Sequence, residues 1–334
     1  MTSNKKDTVC VVLVTFNRKE LLLECLEAIK KQSRPVDALC LIDNASHDGT
    51  PELLKKKGYI SELPPLHLSQ PYEIEYQVSN LVNGDPIKVF YIRMHKNVGG
   101  AGGFHEGIKR GYERGYDWLW VMDDDGLPEH DTLRILLEEG LHLEFKGCLV
   151  MAKDQEGETA FYYPVPSRCG TKKQGTRNVK VIVESYPDKI IEHFLTPFNG
   201  CLIRSTVISR VGLPLKELFL WGDEMNYFFR AVRSGISIGT VVEAKFWHPQ
   251  DRQSVRRVNL VFRSVYLPYS DLPQKFYLIV RNLFYNSWLY GSRVKAVAKL
   301  VLYVVFFPTK ASLILRALFD AVRLLGQDEA RCQF

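Results

Sequence analysis

Three consecutive carboxylates, Asp123-Asp124-Asp125, follow directly on the apolar run Trp118-Leu119-Trp120-Val121-Met122. Carboxylates crowded at the end of a buried strand repel one another unless a cation compensates them. In an extended turn the side chains at i and i+2 point the same way, so Asp123 and Asp125 can share one hard ion. Mg²⁺ and Mn²⁺ take such oxygens together with substrate phosphates. The competing use of the triplet is to cap a helix near residue 130. A second feature, Asn97-Val98-Gly99-Gly100-Ala101-Gly102-Gly103-Phe104, opens a helix. Its glycines admit close backbone approach, and free N–H groups at a helix N-terminus attract an anion. The run lacks G-x-G-x-x-G order and a Walker lysine, which argues against dinucleotide and P-loop sites. Its plainer use is tight helix–sheet packing. Third, the acid pair Asp223-Glu224 follows Phe219-Leu220-Trp221-Gly222 and suits a general base acting on an attacking hydroxyl, or a helix N-terminus with favourable dipole charge. His248 is a candidate metal ligand, although a lone histidine is more often structural.

The elements that must position these groups alternate. Val9-Cys10-Val11-Val12-Leu13-Val14-Thr15 is a continuous apolar run of the kind buried on both faces of a parallel sheet. Residues 18–31 have helical spacing, with Leu22, Cys25, Leu26 and Ile29 on one face. Further strands are expected at 38–42, 89–92 and 118–122, with an excursion from the sheet over 59–86 and a helix over 101–114. Ser46 or Asp48 is expected to cap the helix that carries Pro51. Strand–helix alternation predicts a doubly wound α/β sheet, in which ligands bind beyond the carboxyl ends of the strands. Thr15-Phe16-Asn17, Asp43-Asn44, Asn97-Val98-Gly99 and the aspartate triplet all fall at such ends. Later strands are expected over 198–203 and 236–247, with a helix over 223–234 and a loop-rich stretch over 153–190.

The chain has 334 residues, 46% hydrophobic and 25% charged, an ordinary balance for a folded protein with one large domain and an appendage. Its net charge of +6 is uneven: residues 251–334 carry thirteen Lys or Arg against five Asp or Glu, which leaves residues 1–250 slightly acidic. Seven cysteines form no CxxC pair and no zinc-like cluster, so buried thiols in a reducing compartment are expected rather than a disulfide framework. The start MTSNKKDT runs straight into a strand and reads as having no signal peptide, which predicts a cytoplasmic location.

Taken together, residues 8–250 resemble the inverting glycosyltransferases of family 2, which have the nucleotide-sugar-binding GT-A fold. Val11 to Arg18 is similar to that family's opening strand and nucleotide loop, so Thr15, Phe16, Asn17 and Arg18 are implied donor contacts. Asp43-Asn44-Ala45-Ser46-His47-Asp48-Gly49-Thr50 matches a second-strand element whose aspartate contacts the nucleotide base. Asp123 and Asp125 match the metal-binding DXD pair, with Asp124 beside them as a supporting or sugar-contacting group. Glu224 falls where the family places its catalytic base, Asp223 is the fallback, and His248 falls where some members supply a further metal ligand. A narrower resemblance, carried by Asn97 to Phe104, Met122 to Asp125 and the Trp-rich approach to the acid pair, is to bacterial galactofuranosyltransferases. It implies UDP-galactofuranose as the donor in preference to dTDP-rhamnose, with Mn²⁺ or Mg²⁺ as cofactor. Asn97, Gly99, Gly100, Gly102 and Gly103 would lie against the donor, the helix N-terminus would steady the UDP leaving group, and Trp221 would stack on a sugar face.

From residue 251 to 334 the character is basic, aromatic and helical. The uncharged run Leu300 to Thr309 is ten residues long, half of what a spanning helix needs, about 20. Lys295, Lys299, Lys310, Arg316 and Arg323 punctuate the stretch, a pattern suited to the membrane interface and to an acceptor glycan on a lipid carrier, in O-antigen, capsule or cell-wall galactan synthesis. That predicts a protein peripheral on the inner face of the cell membrane. The alternative is a bundle packed on the catalytic domain or on a second copy in a homo-oligomer. Arg281-Asn282 is similar to a Tyr…Arg-Asn element of related transferases to which the sequence attaches no role. A nucleic-acid-binding protein would interleave its basic residues with stacking aromatics; here they alternate with aliphatic runs, so no nucleic acid partner is expected. Both acid pairs argue against a non-catalytic sugar-binding module, and a nucleotidyltransferase would release pyrophosphate instead of UDP.

Overall fold

A computed structural model describes residues 6–155, 157–161, 164–166, 175–250, 255–260 and 264–331, with side chains to 327. The chain divides into two compact units, Met1–Lys216 with Arg230–Asp251, and Glu217–Phe229 with Arg252–Phe334. The segment Glu217–Phe229, which the sequence alone attaches to the domain ending at 250, groups with the C-terminal helices.

The first unit is a mixed sheet covered by helices. In chain order it runs β1 Val9–Thr15, α1 Lys19–Lys30, β2 Ala38–Asp43, α2 Thr50–Lys56, β3 Tyr72–Ser79, β4 Pro86–Arg93, α3 Gly99–Glu113, β5 Trp118–Asp123 and β6 Leu127–Pro128. It continues with α4 Thr132–Glu138, β7 Phe145–Ala152, α5 Val179–Ser185, β8 Ile190–Glu192, β9 Cys201–Arg204, α6 Ser205–Val211, α7 Asp223–Arg233 and β10 Ile238–His248, α7 being shared with the second unit. The strand order is β3-β4-β2-β1-β5-β9-β7-β10-β6, with β8 also on β10. Strands β4, β2, β1 and β5 are parallel, as the continuous apolar runs predict. The doubly wound expectation holds only for that half. β9 enters antiparallel between β5 and β7, and the excursion over 59–86 contains an antiparallel edge strand, β3.

Register levels the strand ends. Thr15 pairs with Asp43, and Val14 with Asp123, so three loops leave the sheet at one height. The hairpin-like pairing of β6 with β10 sets Trp247 against Leu127, which carries His248 back towards Asp125. Gly126 permits this: a Cβ there would lie 2.1 Å from the Phe246 ring.

Helix α3 lies close on β1 and β5 because Gly103, Gly107 and Gly111 face the sheet at four-residue spacing. A Cβ at these positions would come within 2.5 Å of Val14, 2.5 Å of Val12 and 2.7 Å of Leu119. Neither Ser46 nor Asp48 is the N-cap of α2; Gly49 takes that place at φ 88°. Asp48 sits one residue earlier and serves two helix starts, accepting from Lys19 N at 3.1 Å and from Thr50 N at 3.1 Å. Cys10, Cys25, Cys40, Cys148 and Cys201 are buried free thiols, while Cys169 and Cys332 lie outside the described residues.

The second unit contains a two-stranded ribbon, β11 Val255–Asn259 and β12 Ser264–Pro268, and the helices α8 Pro273–Tyr290, α9 Arg293–Phe306 and α10 Ala311–Arg331. Phe276, Tyr303, Ile314 and Ala317 form its core together with Val258 and Leu267 of the ribbon.

In an exposed helix Gly→Ala gains about 0.5–1 kcal/mol. Gly107→Ala is expected to do the reverse, lowering stability by about 1–3 kcal/mol through overpacking against Val12 and Ile42. Urea denaturation reads this as a lower midpoint at unchanged slope.

Candidate active site

The end of β5 brings three carboxylates together with two basic side chains from distant parts of the first unit. Arg18, just before α1, donates through Nη1 to Asp124 Oδ1 at 3.1 Å and to Asp125 Oδ2 at 2.8 Å, and its side chain remains 50% exposed. Asp124 is buried and also accepts from Thr15 Oγ1 at 2.7 Å. His248, from the end of β10, places Nε2 3.1 Å from Asp125 Oδ1. Its Nδ1 donates to the Pro249 carbonyl at 2.7 Å, which leaves Nε2 as the ring nitrogen facing the carboxylates. Lys153 Nζ ties down the Asp125 carbonyl at 2.9 Å.

Ligand atoms of Asp123, Asp125 and His248 lie within 4.8 Å of one another. Asp125 Oδ1 is buried yet accepts no hydrogen bond of good geometry. An orphaned carboxylate oxygen beside a second carboxylate and an imidazole nitrogen is a donor set that fits a divalent cation. Helix α4 begins at Thr132 with Asp131 at its N-cap, so the triplet is not that helix's cap.

The charges register the crowding. Burial, reinforced by Asp125, pushes the Asp123 carboxyl up to about 8. Burial pushes Asp124 up to about 6 despite Arg18 and the Thr15 hydrogen bond. Asp125 is held below the usual carboxylate range: burial opposes its ionisation, but the close approach and charge of His248, then Arg18, outweigh it. His248 is raised in turn, because its pairing with Asp125 overcomes the cost of burying its charge.

The other expected donor contacts divide. Asp43 is 0% exposed and already engaged, Oδ1 by Ser46 N at 2.8 Å, Oδ2 by Tyr91 Oη at 2.7 Å and Arg93 Nη1 at 2.5 Å. It shapes the loop after β2 rather than presenting a free carboxylate. Asn17, at φ 54°, accepts from His47 N at 2.7 Å and so laces the loop after β1 to the loop after β2. Phe16 is exposed and meets the His47 ring edge-on at 5.9 Å. A Cβ on Gly102 or Gly103 would collide with Val98 or Val14; Asn97 is exposed, Gly99 buried at φ 74° and Gly100 half-buried at the start of α3. Asn44, which sequence reading leaves without a role, pins this turn: its Nδ2 donates to Asn97 Oδ1 and to the Gly99 carbonyl, both at 3.0 Å, and its Oδ1 accepts from Val98 N at 2.9 Å.

Asp223 and Glu224 occupy the first turn of α7, in the stretch that groups with the second unit; Asp223 is buried and Glu224 half-buried. Trp221 is half-buried, with Lys275 Nζ 5.2 Å from its ring centroid.

The model of glycosyl transferase family 2 matches residues 10–61 and 69–197, the stretch that builds these loops. The chain belongs to glycosyltransferase family 2. It is 32% identical over 247 residues to galactofuranosyltransferase GlfT1 of Mycolicibacterium smegmatis, covering 73% of this chain and 71% of that one. GlfT1 of Mycobacterium tuberculosis is 28% identical over 279 residues, 83% and 81% of the two chains. The dTDP-rhamnosyl transferase RfbF of Shigella flexneri is 23% identical over 199 residues, 58% of this chain and 64% of that one. Among solved structures, mannosyltransferase PcManGT of Pyrobaculum calidifontis, in complex with GDP-Man and Mn²⁺, superposes with a TM-score of 0.51 at 14% identity, over 99% of this chain and 82% of that one. S. aureus TarS in complex with UDP-GlcNAc gives 0.51 at 14%, over 95% and 81%. These likenesses establish the GT-A fold, and the transferase is an enzyme of sugar transfer.

Because the Asp123 carboxyl lies above its unfolded value of 3.8, the metal-free transferase should lose stability as pH rises from about 4 towards 8. A cation must displace that proton, so Mn²⁺ affinity should rise by up to about tenfold per pH unit across the same window and level off above it. Electron paramagnetic resonance titration of free Mn²⁺ measures this, and Asp125→Ala should weaken binding by about 10-fold or more at every pH.

Proposed function

We propose that this transferase moves galactofuranose from UDP-galactofuranose to a hydroxyl of a glycan acceptor, with inversion and with Mn²⁺ or Mg²⁺ as cofactor. The observation that carries this is the Asp123–Asp125–His248 donor set at the strand ends of a chain 32% identical to a galactofuranosyltransferase. Asp123, Asp125 and His248 would hold the cation, which when bound neutralises charge on the departing diphosphate. Arg18, half-exposed and already pairing with two of the three aspartates, offers a second positive group to the same phosphates. Free N–H groups in the first turn of α3 would add to this.

On the acceptor side, Glu224 takes the hydroxyl proton as that oxygen bonds to the anomeric carbon and the bond from that carbon to the diphosphate oxygen breaks, releasing UDP. Glu224 is half-buried and Asp223 buried, which favours Glu224 as the residue within reach of substrate. Trp221 supplies an aromatic face for a sugar ring.

The acceptor is proposed to be lipid-linked and the enzyme to lie on the inner face of the cell membrane. Support comes from α9, where Val294, Val297, Val301 and Val305 are exposed at helical spacing beside Lys295 and Lys299, and from α10, where Leu315, Phe319 and Val322 are exposed beside Arg316 and Arg323. Apolar stripes bordered by cations suit an anionic lipid surface. No single described helix is long and apolar enough to cross a bilayer.

Glu224→Gln should lower turnover by about 100-fold or more while UDP binding stays within about twofold; wild-type turnover would remove Glu224 as the base. A panel of nucleotide sugars with Mn²⁺ and a UDP or dTDP readout tests the donor, and turnover confined to dTDP-rhamnose would replace galactofuranose with rhamnose. In sedimentation with phosphatidylglycerol vesicles, Val305→Asp combined with Phe319→Asp should abolish association. Unchanged soluble dimers with no vesicle binding would assign the stripes to a second copy instead.

A further inference from the structure

The turn that leads into Asp223-Glu224 has an uncommon backbone. Phe219 at φ 64°, Trp221 at φ 74° and Gly222 at φ 79° are all left-handed, and two of the three are bulky aromatics. Non-glycine residues persist in that region only where the surroundings over-determine them. Here the surroundings are one face of α8. The two N–H groups of Asn282 Nδ2 are shared among the carbonyls of Leu218 at 2.9 Å, Leu220 at 2.9 Å and Trp221 at 2.6 Å. Arg281 Nη2 donates to the carbonyls of Glu217 at 3.0 Å and Leu218 at 2.8 Å, while its Nε donates to Asn282 Oδ1 at 2.8 Å and orients that amide. Asn286, one turn on, donates to the Gly222 carbonyl at 2.7 Å and accepts from Asn226 Nδ2, on α7, at 3.0 Å.

These groups are buried: Arg281 is 9% exposed, Asn282 1%, Asn286 8% and Asn226 0%. Gly222 cannot be replaced quietly, because a Cβ there would lie 2.9 Å from Asn286 Nδ2. Four of the five turn carbonyls from Leu218 to Gly222, all but that of Phe219, are thus taken by two asparagine side chains four residues apart on one helix. Burying this much polar surface costs stability unless every hydrogen bond is made, and apolar residues of like volume would hold the α8 core at least as well. The investment is therefore in the geometry of the turn and not in the packing of the helices.

We propose that Arg281, Asn282 and Asn286 are positioning residues for glycosyl transfer: they impose the left-handed turn at Phe219–Gly222 and so set where Trp221 and Glu224 point. The proposal rests on the reading of Glu224 as the base. It gives the Arg281-Asn282 pair a role on the acceptor side of the reaction and none in binding the nucleotide. A small displacement of a base costs chemistry far more than it costs donor affinity, since proton transfer requires hydrogen-bond reach in the transition state.

The experiment measures kcat, donor KM, UDP affinity and melting temperature for Asn282→Ala, Asn286→Ala, Glu224→Asp and the pairwise combinations with Glu224→Asp, using UDP-galactofuranose (or the donor found active) and Mn²⁺. Asn282→Ala and Asn286→Ala should each lower kcat by about 10- to 100-fold, with donor KM and UDP affinity within about twofold. Combined with Glu224→Asp, their loss should be much smaller than the product of the single losses, because a displaced base cannot be displaced twice. A folded Asn282→Ala with wild-type kcat, or multiplicative losses in the combinations, overturns the proposal. If Asn282→Ala does not fold, Asn286→Ala, which leaves Asn282 in place, decides by the same comparison. Full turnover of Glu224→Gln would instead remove the base reading, so the two failures are told apart.

Discussion

Three carboxylates leave β5 side by side, and much of the first unit is arranged around the cost of keeping them there. Burial alone pushes Asp123 and Asp124 upward, and each neighbouring carboxylate adds to the penalty. Without a cation the cluster is held by Arg18 from before α1, Thr15 from β1 and His248 from β10. Each of these arrives by a different route through the sheet. A divalent ion would relieve the same repulsion at one point, where Asp125 Oδ1 faces His248 without a well-directed hydrogen bond.

The loops that surround the cluster owe their shape to a few buried polar side chains. Asp43 and Asn44 spend their hydrogen-bonding capacity on the loop after β2 and on the Gly-rich turn, so these loops are cross-linked by buried hydrogen bonds. Preorganisation of this kind is what electrostatic stabilisation of a leaving group demands, since dipoles that must reorient during the reaction contribute less. The second unit follows the same rule at the Phe219–Gly222 turn, where main-chain carbonyls are satisfied by asparagine amides from α8.

Several sequence expectations changed once side chains had positions. Gly102 and Gly103 are packed closely on Val98 and Val14, a constraint that the run of glycines alone does not reveal. Asp43 takes its hydrogen bonds from Ser46, Tyr91 and Arg93, the last two from β4, a strand whose register no local pattern reveals. The doubly wound sheet became mixed because β9 inserts between β5 and β7 in the opposite sense. Its short apolar run, Cys201-Leu202-Ile203, reads identically in either direction.

What the sequence determined by itself is the part encoded locally. Continuous apolar runs specified β1, β2, β4 and β5; the break from apolar to acidic marked the end of β5; and residue types at strand ends pointed to the family and to Asp123, Asp125 and His248 as candidate metal ligands. Tertiary structure alone decided which distant groups join them. His248 reaches Asp125 only because β6 pairs antiparallel with β10 and Gly126 lets the Phe246 ring pass, and Arg281-Asn282 acquires partners only when α8 folds against the turn before α7. Such pairings depend on register and on the path of the chain through space, and periodicity along the sequence carries neither.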